Sequence, residues 1–333
     1  MEGLIVHGME WTVKELFVYP NEFIYWSIQI VMYPYMTGLV AGAFVLSSLY
    51  HVFDQKDLRG IARFSLVFSL ALLPTAMMPL QMHLQQPFRG MNVMFTPHFT
   101  SAIAAFGIVF STYAMIVLTE IWFVYRKFFV DQSVALKGQQ GIINNSKYSL
   151  YTLLTLGAFD VSDRAIAIDK KGVKILAGIG IPVACFLHGY AGFIFGSVKA
   201  NALWMSPLMP VIFIMSAVVS GIALCMLTYI IIMEWKKFRA TLAKGRGDQS
   251  VQELGGVEID VITKTSRYLL GFLIAAISLE LLDLIFRGYT AMKSWDILRT
   301  VMFEADFTKI FILQYGFGNL IPFILLLLPK PTI

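Results

Sequence analysis

The chain has 333 residues, 57% of them apolar and only 14% charged, with a mean hydropathy of +0.70 and a formal net charge of +5. That balance excludes a water-soluble domain, which needs more charge on its surface. The excess of bases is no sign of nucleic acid either, because they lie between apolar runs and no DNA-reading module accompanies them.

In hydrocarbon every backbone N–H and C=O must be paired within the chain, which leaves a helix bundle or a closed barrel. Apolar runs of 20 to 30 residues choose the bundle. Residues 1–22 have no basic n-region and no small-residue cleavage site, so they read as an outer N-terminal segment and the first span as the insertion signal. Seven spans follow, over 23–50, 61–83, 98–125, 173–198, 207–234, 265–289 and 308–329. At 1.5 Å per residue each crosses a core of about 30 Å. Two bundles are expected, 23–198 with four spans and 199–333 with three.

Lys and Arg set the orientation. Nineteen of the 26 flank the ends at 56–63, 126–174, 236–267 and 330, and seven flank the opposite ends. The N-terminus is therefore expected outside and the C-terminus inside. All six tryptophans fall at predicted interfaces, as an aromatic belt requires. Within 142–170, YSLYTLLTLGAF reads as an interfacial amphipathic helix, followed by a charged loop, DVSDRAIAIDKKG. The stretch 236–264, with GRGDQ and LGG, reads as a second loop. Gly38 with Gly42 and Gly192 with Gly196 have the spacing of close helix contacts.

Polar groups at membrane depth are costly, so each is a functional candidate. His83 ends the second span, His98 begins the third and His188 lies within the fourth. Gln29, Tyr33 and Tyr35 fall in the outer half of the first span and Tyr190 in that of the fourth. Neutral hydrogen-bonding groups beside aromatic walls suit a quinone, whose carbonyls need donors that also exchange protons. The competing reading is that each imidazole or phenol caps a helix or bridges to backbone. Glu120, Glu280 and Asp283 could carry protons, although Arg287, four residues after Asp283, makes a structural ion pair an equal reading. No phosphate loop, dinucleotide fingerprint or metal-ligand spacing occurs. Cys185 and Cys225 stand alone, and a haem b between paired histidines is a minor option.

Three stretches carry a family likeness: MTGLVAGAF, PFRG with FTPHFTSAIAAFG, and GIPVACFLHGYAGFIFGSVKANALWMSPLMPVIFIMSAVVSGIAL. Together they resemble the NrfD/PsrC family, membrane subunits that deal with quinone in respiratory complexes, and most of all its DsrP-type members from sulfite-reduction-associated complexes of the DsrMKJOP kind. The resemblance implies menaquinone or menaquinol as bound substrate and no haem or iron–sulfur cluster in the chain itself. It also implies an outer-face ferredoxin-like iron–sulfur partner, together with cytochrome c, cytochrome b and further iron–sulfur subunits, in the inner membrane of a prokaryote. By resemblance His188 is the family histidine of the fourth span, and His98 that of the TPHFTSA motif. Glu120 is the acid closing the third span, and Asp283 and Arg287 match an acid and an arginine of the sixth. Two departures stand out: HLQQPFRG has Gln85 where relatives commonly have glycine, and relatives have eight to ten spans. A cofactor-free transporter and a membrane anchor without its own quinone site are the alternative functions.

Overall fold

The computed structural model describes residues 28–84, 87–98, 100–101, 103–198, 204–245, 258–289 and 295–328. The expectations for the segment 1–22, for Gln85 and for the flanking bases Lys14, Lys199, Lys293 and Lys330 lie outside these. The protein is an all-α integral membrane protein, and among the described residues there is no strand. Among the described residues seven helices are long and apolar enough to cross a membrane: Ile28–His51, Lys56–His83, Phe106–Leu136, Asp163–Gly196, Met209–Lys244, Ile259–Tyr289 and Thr308–Leu327.

Several helices outrun the apolar windows that predict them. The third continues to Leu136 and the fourth begins at Asp163, so most of the charged DVSDRAIAIDKKG is helix and not loop. Ser162 starts that helix as its N-cap, its hydroxyl accepting from the Ala165 N–H at 3.3 Å. Likewise 236–245 completes the fifth helix and 259–264 opens the sixth, leaving a shorter connection than the polar composition predicts. Hydropathy marks where lipid ends, whereas a helix with its own backbone bonds continues into water. The third span starts later than expected, at Phe106, so His98 precedes the helix.

The first span is the axis of the fold. In its most apolar stretch 72% of residues are buried, against 6% in the seventh, which lies at the periphery. It packs chiefly against the second, fifth and fourth spans. One core joins the first four spans around Phe44, Leu66, Tyr113 and Leu187, and a second joins the first, second, fifth and sixth around Leu46, Ile61, Ile222 and Leu269. Small residues permit this. A Cβ on Gly42 would lie 2.2 Å from the Ala217 carbonyl oxygen and one on Gly221 would lie 2.6 Å from Gly42 Cα, so the first and fifth backbones touch. Gly192 and Gly196 meet the start of the fifth span in the same way, at 2.7 Å from Pro210 Cα and from the Ser206 carbonyl oxygen. Both expected small-residue contacts are therefore present.

At the end of the bundle where the third span finishes, the helix Ile142–Leu154 lies against that span. The Trp122 indole N–H donates to the Leu154 carbonyl at 3.0 Å, and Tyr151 meets the rings of Phe128 and Phe129 at 5.9 and 6.4 Å. Its other face exposes Ile142, Ile143 and Leu153; the helix begins six residues before the expected YSLYTLLTLGAF and ends before the last five residues of it, at Leu154. Beside it Arg126 is buried and pairs with Asp169 of the fourth span, Nη2 to Oδ2 at 2.7 Å and Nε to both oxygens at 3.0 Å. Its remaining nitrogen donates to the carbonyls of Ala158 and Asp160, closing the connection between the two spans. The Ser162 backbone N–H, donating at 2.9 Å, holds the exposed Asp160 carboxyl below the usual carboxylate range. Beyond Thr308 the seventh span winds as a π-helix to Leu320 before an α-helical end, Ile321–Leu327.

Candidate functional site

Depth alone groups the first-span and fourth-span polar residues, but a helix advances about 100° per residue, so positions two apart face nearly opposite ways. The structure sorts them accordingly. Tyr35 and His188 line one cavity, whereas Tyr33 turns into the core against Phe106, with ring centroids 5.5 Å apart, and lies near Tyr190. Tyr190 in turn stacks along its own helix between Phe186 and Phe193. Gln29 is half-buried one turn before Tyr33. His83, half-buried, ends the second span, and His98 is exposed with Nδ1 2.7 Å from the Thr100 hydroxyl; neither lines the His188 cavity.

His188 is the most enclosed of the candidate histidines, 4% exposed. Its ring fits against the first span only because residue 38 is glycine, where a Cβ would lie 2.8 Å from the imidazole Cε1. Phe213 of the fifth span covers the ring at a centroid distance of 5.6 Å. Nδ1 is buried and, among the described residues, has no hydrogen-bond partner. The cavity before it, about 230 Å³, is bounded by Tyr35, Trp204, Phe213, Ser216 and Ser220 and opens past the exposed Val31 and Tyr35. Most of this wall was invisible in the sequence. Trp204 reads as a belt residue, and Ser216 and Ser220 signal only by lying one turn apart on an otherwise apolar helix.

A second cavity of about 210 Å³ shares the Trp204 and Met209 wall and contains Glu280, Asp283 and Arg287. Asp283 and Arg287 form a buried ion pair at 2.7 Å across one helical turn, and the Ser206 hydroxyl donates to the other oxygen of Asp283. Glu280 accepts from Gln314 and Asn319, each at 3.4 Å. Glu120 differs from both acids, being fully buried in the third span two turns beyond Tyr113 and, among the described residues, without a hydrogen-bond partner on either oxygen. A larger apolar groove, about 580 Å³, runs between the end of the second span and the Pro87–Met91 turn, with Gln81, Arg89 and Ser111 on its rim. Among the described residues lining it no buried side-chain polar atom lacks a partner, which sets it apart from the His188 cavity.

The described residues thus form a polytopic helical membrane protein in which the His188 ring lies in the wall of an aromatic cavity. The chain belongs to the NrfD family, whose model, described as polysulphide reductase, NrfD, matches residues 19–332. It is 30% identical over 257 residues to a selenate reductase subunit of Mesobacillus selenatarsenatis, covering 74% of this chain and 57% of that protein. A Halobacterium salinarum protein provisionally named as a dimethyl sulfoxide reductase membrane subunit is 28% identical over 65% of this chain and 45% of its own. The Hdr-like menaquinol oxidoreductase integral membrane subunit of Archaeoglobus fulgidus is 25% identical over 60% of this chain and 40% of its own. The chain thus spans about half the length of the curated relatives it matches.

Proposed function

We propose that this chain is the quinone-interacting membrane subunit of a respiratory oxidoreductase complex. In this reading it exchanges electrons between menaquinone or menaquinol and an iron–sulfur subunit docked at the outer face. The observation that carries the reading is the buried, unpartnered Nδ1 of His188 in the wall of an aromatic cavity that opens towards one end of the bundle. A quinone head group offers two carbonyl oxygens and a flat apolar ring, which match an imidazole, a tyrosine and serine hydroxyls set among Phe213 and Trp204. An isoprenoid tail would leave past Val31 and Tyr35 into the lipid. The A. fulgidus relative's name, which includes menaquinol oxidoreductase, supports the choice of ligand.

The distribution of Lys and Arg supports an N-terminus outside, which puts the His188 cavity in the outer half of the bundle. Protons are exchanged at His188, with Glu120 and Glu280 as carriers; His83 and His98 flank the route at the outer surface. Sulfur or sulfite metabolism in a prokaryotic inner membrane, with cytochrome and iron–sulfur partners of a DsrMKJOP-like assembly, rests on the motif resemblance alone.

The test is menaquinol-dependent electron transfer in the intact complex. His188→Ala is expected to lower the rate at least about 100-fold, the usual loss when a positioned acid–base group is removed. His98→Ala, further from the cavity, is expected to cost less. If both variants transfer electrons from quinol at the wild-type rate, the site assignment fails.

A further inference from the structure

We infer that Asp283 is a positioning residue for the His188 cavity, holding the cavity's Trp204 wall in place through Ser206. The identity of the cavity's ligand rests on the quinone reading above; the contacts that hold the wall do not. The short stretch from Trp204 to Met209 is trapped between two surfaces. On one side the fourth span presents glycines, and a Cβ on Gly196 would lie 2.7 Å from the Ser206 carbonyl oxygen and one on Gly192 2.8 Å from that of Met209. On the other side the Ser206 hydroxyl, in a residue 3% exposed, donates to Asp283 Oδ1 and accepts from the Leu208 N–H at 3.1 Å. Asp283 is itself fixed by Arg287, whose Nη2 lies 2.7 Å from Oδ2.

Trp204 sits two residues before this anchor. Its ring meets Phe195 edge-on at 5.2 Å, and it bounds both the His188 cavity and the cavity containing Asp283. The Asp283–Ser206 bond ties the backbone two residues after Trp204 to the sixth span, at the point where the two cavities share a wall. The same geometry argues against Asp283 as a proton carrier. Both its oxygens are engaged by donors, so taking up a proton would disrupt at least one contact, whereas Glu120 has none to lose.

The test uses the purified complex, with menadione binding, menadiol-dependent electron transfer, and hydrogen exchange over residues 204–209. Ser206→Ala and Asp283→Asn are each expected to weaken menadione binding and raise the KM for menadiol about tenfold, with kcat within about twofold of wild type. Exchange over 204–209 should rise in both. The double variant should be no worse than either single one, because both break the same contact. Ser206→Thr, which retains the hydroxyl, should behave as wild type, and Ser206→Ala leaves the ion pair intact, so it reports even where Asp283→Asn does not assemble. The inference is overturned by unchanged exchange in Ser206→Ala. It is equally overturned by loss of kcat at constant KM in Asp283→Asn alone, or by Ser206→Thr as impaired as Ser206→Ala. Failure of menadione to bind the wild-type complex would count against the quinone reading instead, and exchange over 204–209 would still decide the fate of the latch.

Discussion

Gly42→Leu is expected to eliminate folded protein, seen as loss of the monodisperse peak of a fluorescently tagged chain on size-exclusion chromatography. The added Cβ would lie 2.2 Å from the carbonyl oxygen of Ala217, 2.9 Å from Gly221 Cα and 3.0 Å from the Ala217 carbonyl carbon. All three obstacles are backbone, so no rotamer change relieves the clash, and the first and fifth spans must part. Overpacking by a methylene or two typically costs about 1–3 kcal/mol where neighbours can adjust. Here the neighbour is a helix axis shared by two cores, so the cost falls above that range. Gly178→Leu is the matched control: a Cβ there meets nothing within 4 Å on an exposed face, and the variant should elute as wild type.

Arg126→Ala is the second large effect. It leaves Asp169 buried without its partner and the carbonyls of Ala158 and Asp160 without a donor. Breaking a buried ion pair from one side typically costs about 3–5 kcal/mol, most of it from the charge left behind. Thermal unfolding in detergent should show a marked drop in midpoint for Arg126→Ala. Arg126→Met combined with Asp169→Leu should recover much of it, because the pair removed together leaves no orphaned charge. A double variant as unstable as the single one would mean that the carbonyl bonds, and not the ion pair, hold the connection.

Both features show what the sequence could and could not reveal. Seven spans and the small-residue contacts were legible, because hydropathy over about 20 residues and four-residue glycine spacing report constraints that act along one helix. Gly42 stood out by its spacing with Gly38, but its partner, Gly221, lies 179 positions later and carried no signal of its own. Arg126 read only as one base among those that set orientation, since its role depends on Asp169, which comes from another span. The candidate site divides in the same manner. His188 was recognisable as a lone imidazole in an apolar run, yet Tyr33 and Tyr190 shared its depth without sharing its face, and depth is all that a count of residues provides. The Asp283–Arg287 pair was legible because both partners lie on one helical turn; Ser206, which completes it, was not.

The central place of the first span has a consequence for biogenesis. This helix leaves the ribosome first among the seven, but the backbone it presses against at Gly42 belongs to the fifth, made 179 residues afterwards. At about 5–20 residues per second, that is a wait of roughly 10–35 s. During that interval a glycine-lined, serine-bearing surface that ends up sealed inside the protein faces lipid or an insertion factor. The most interior helix of the finished molecule is thus its longest-exposed nascent one, and its assembly is governed by the arrival of a late partner.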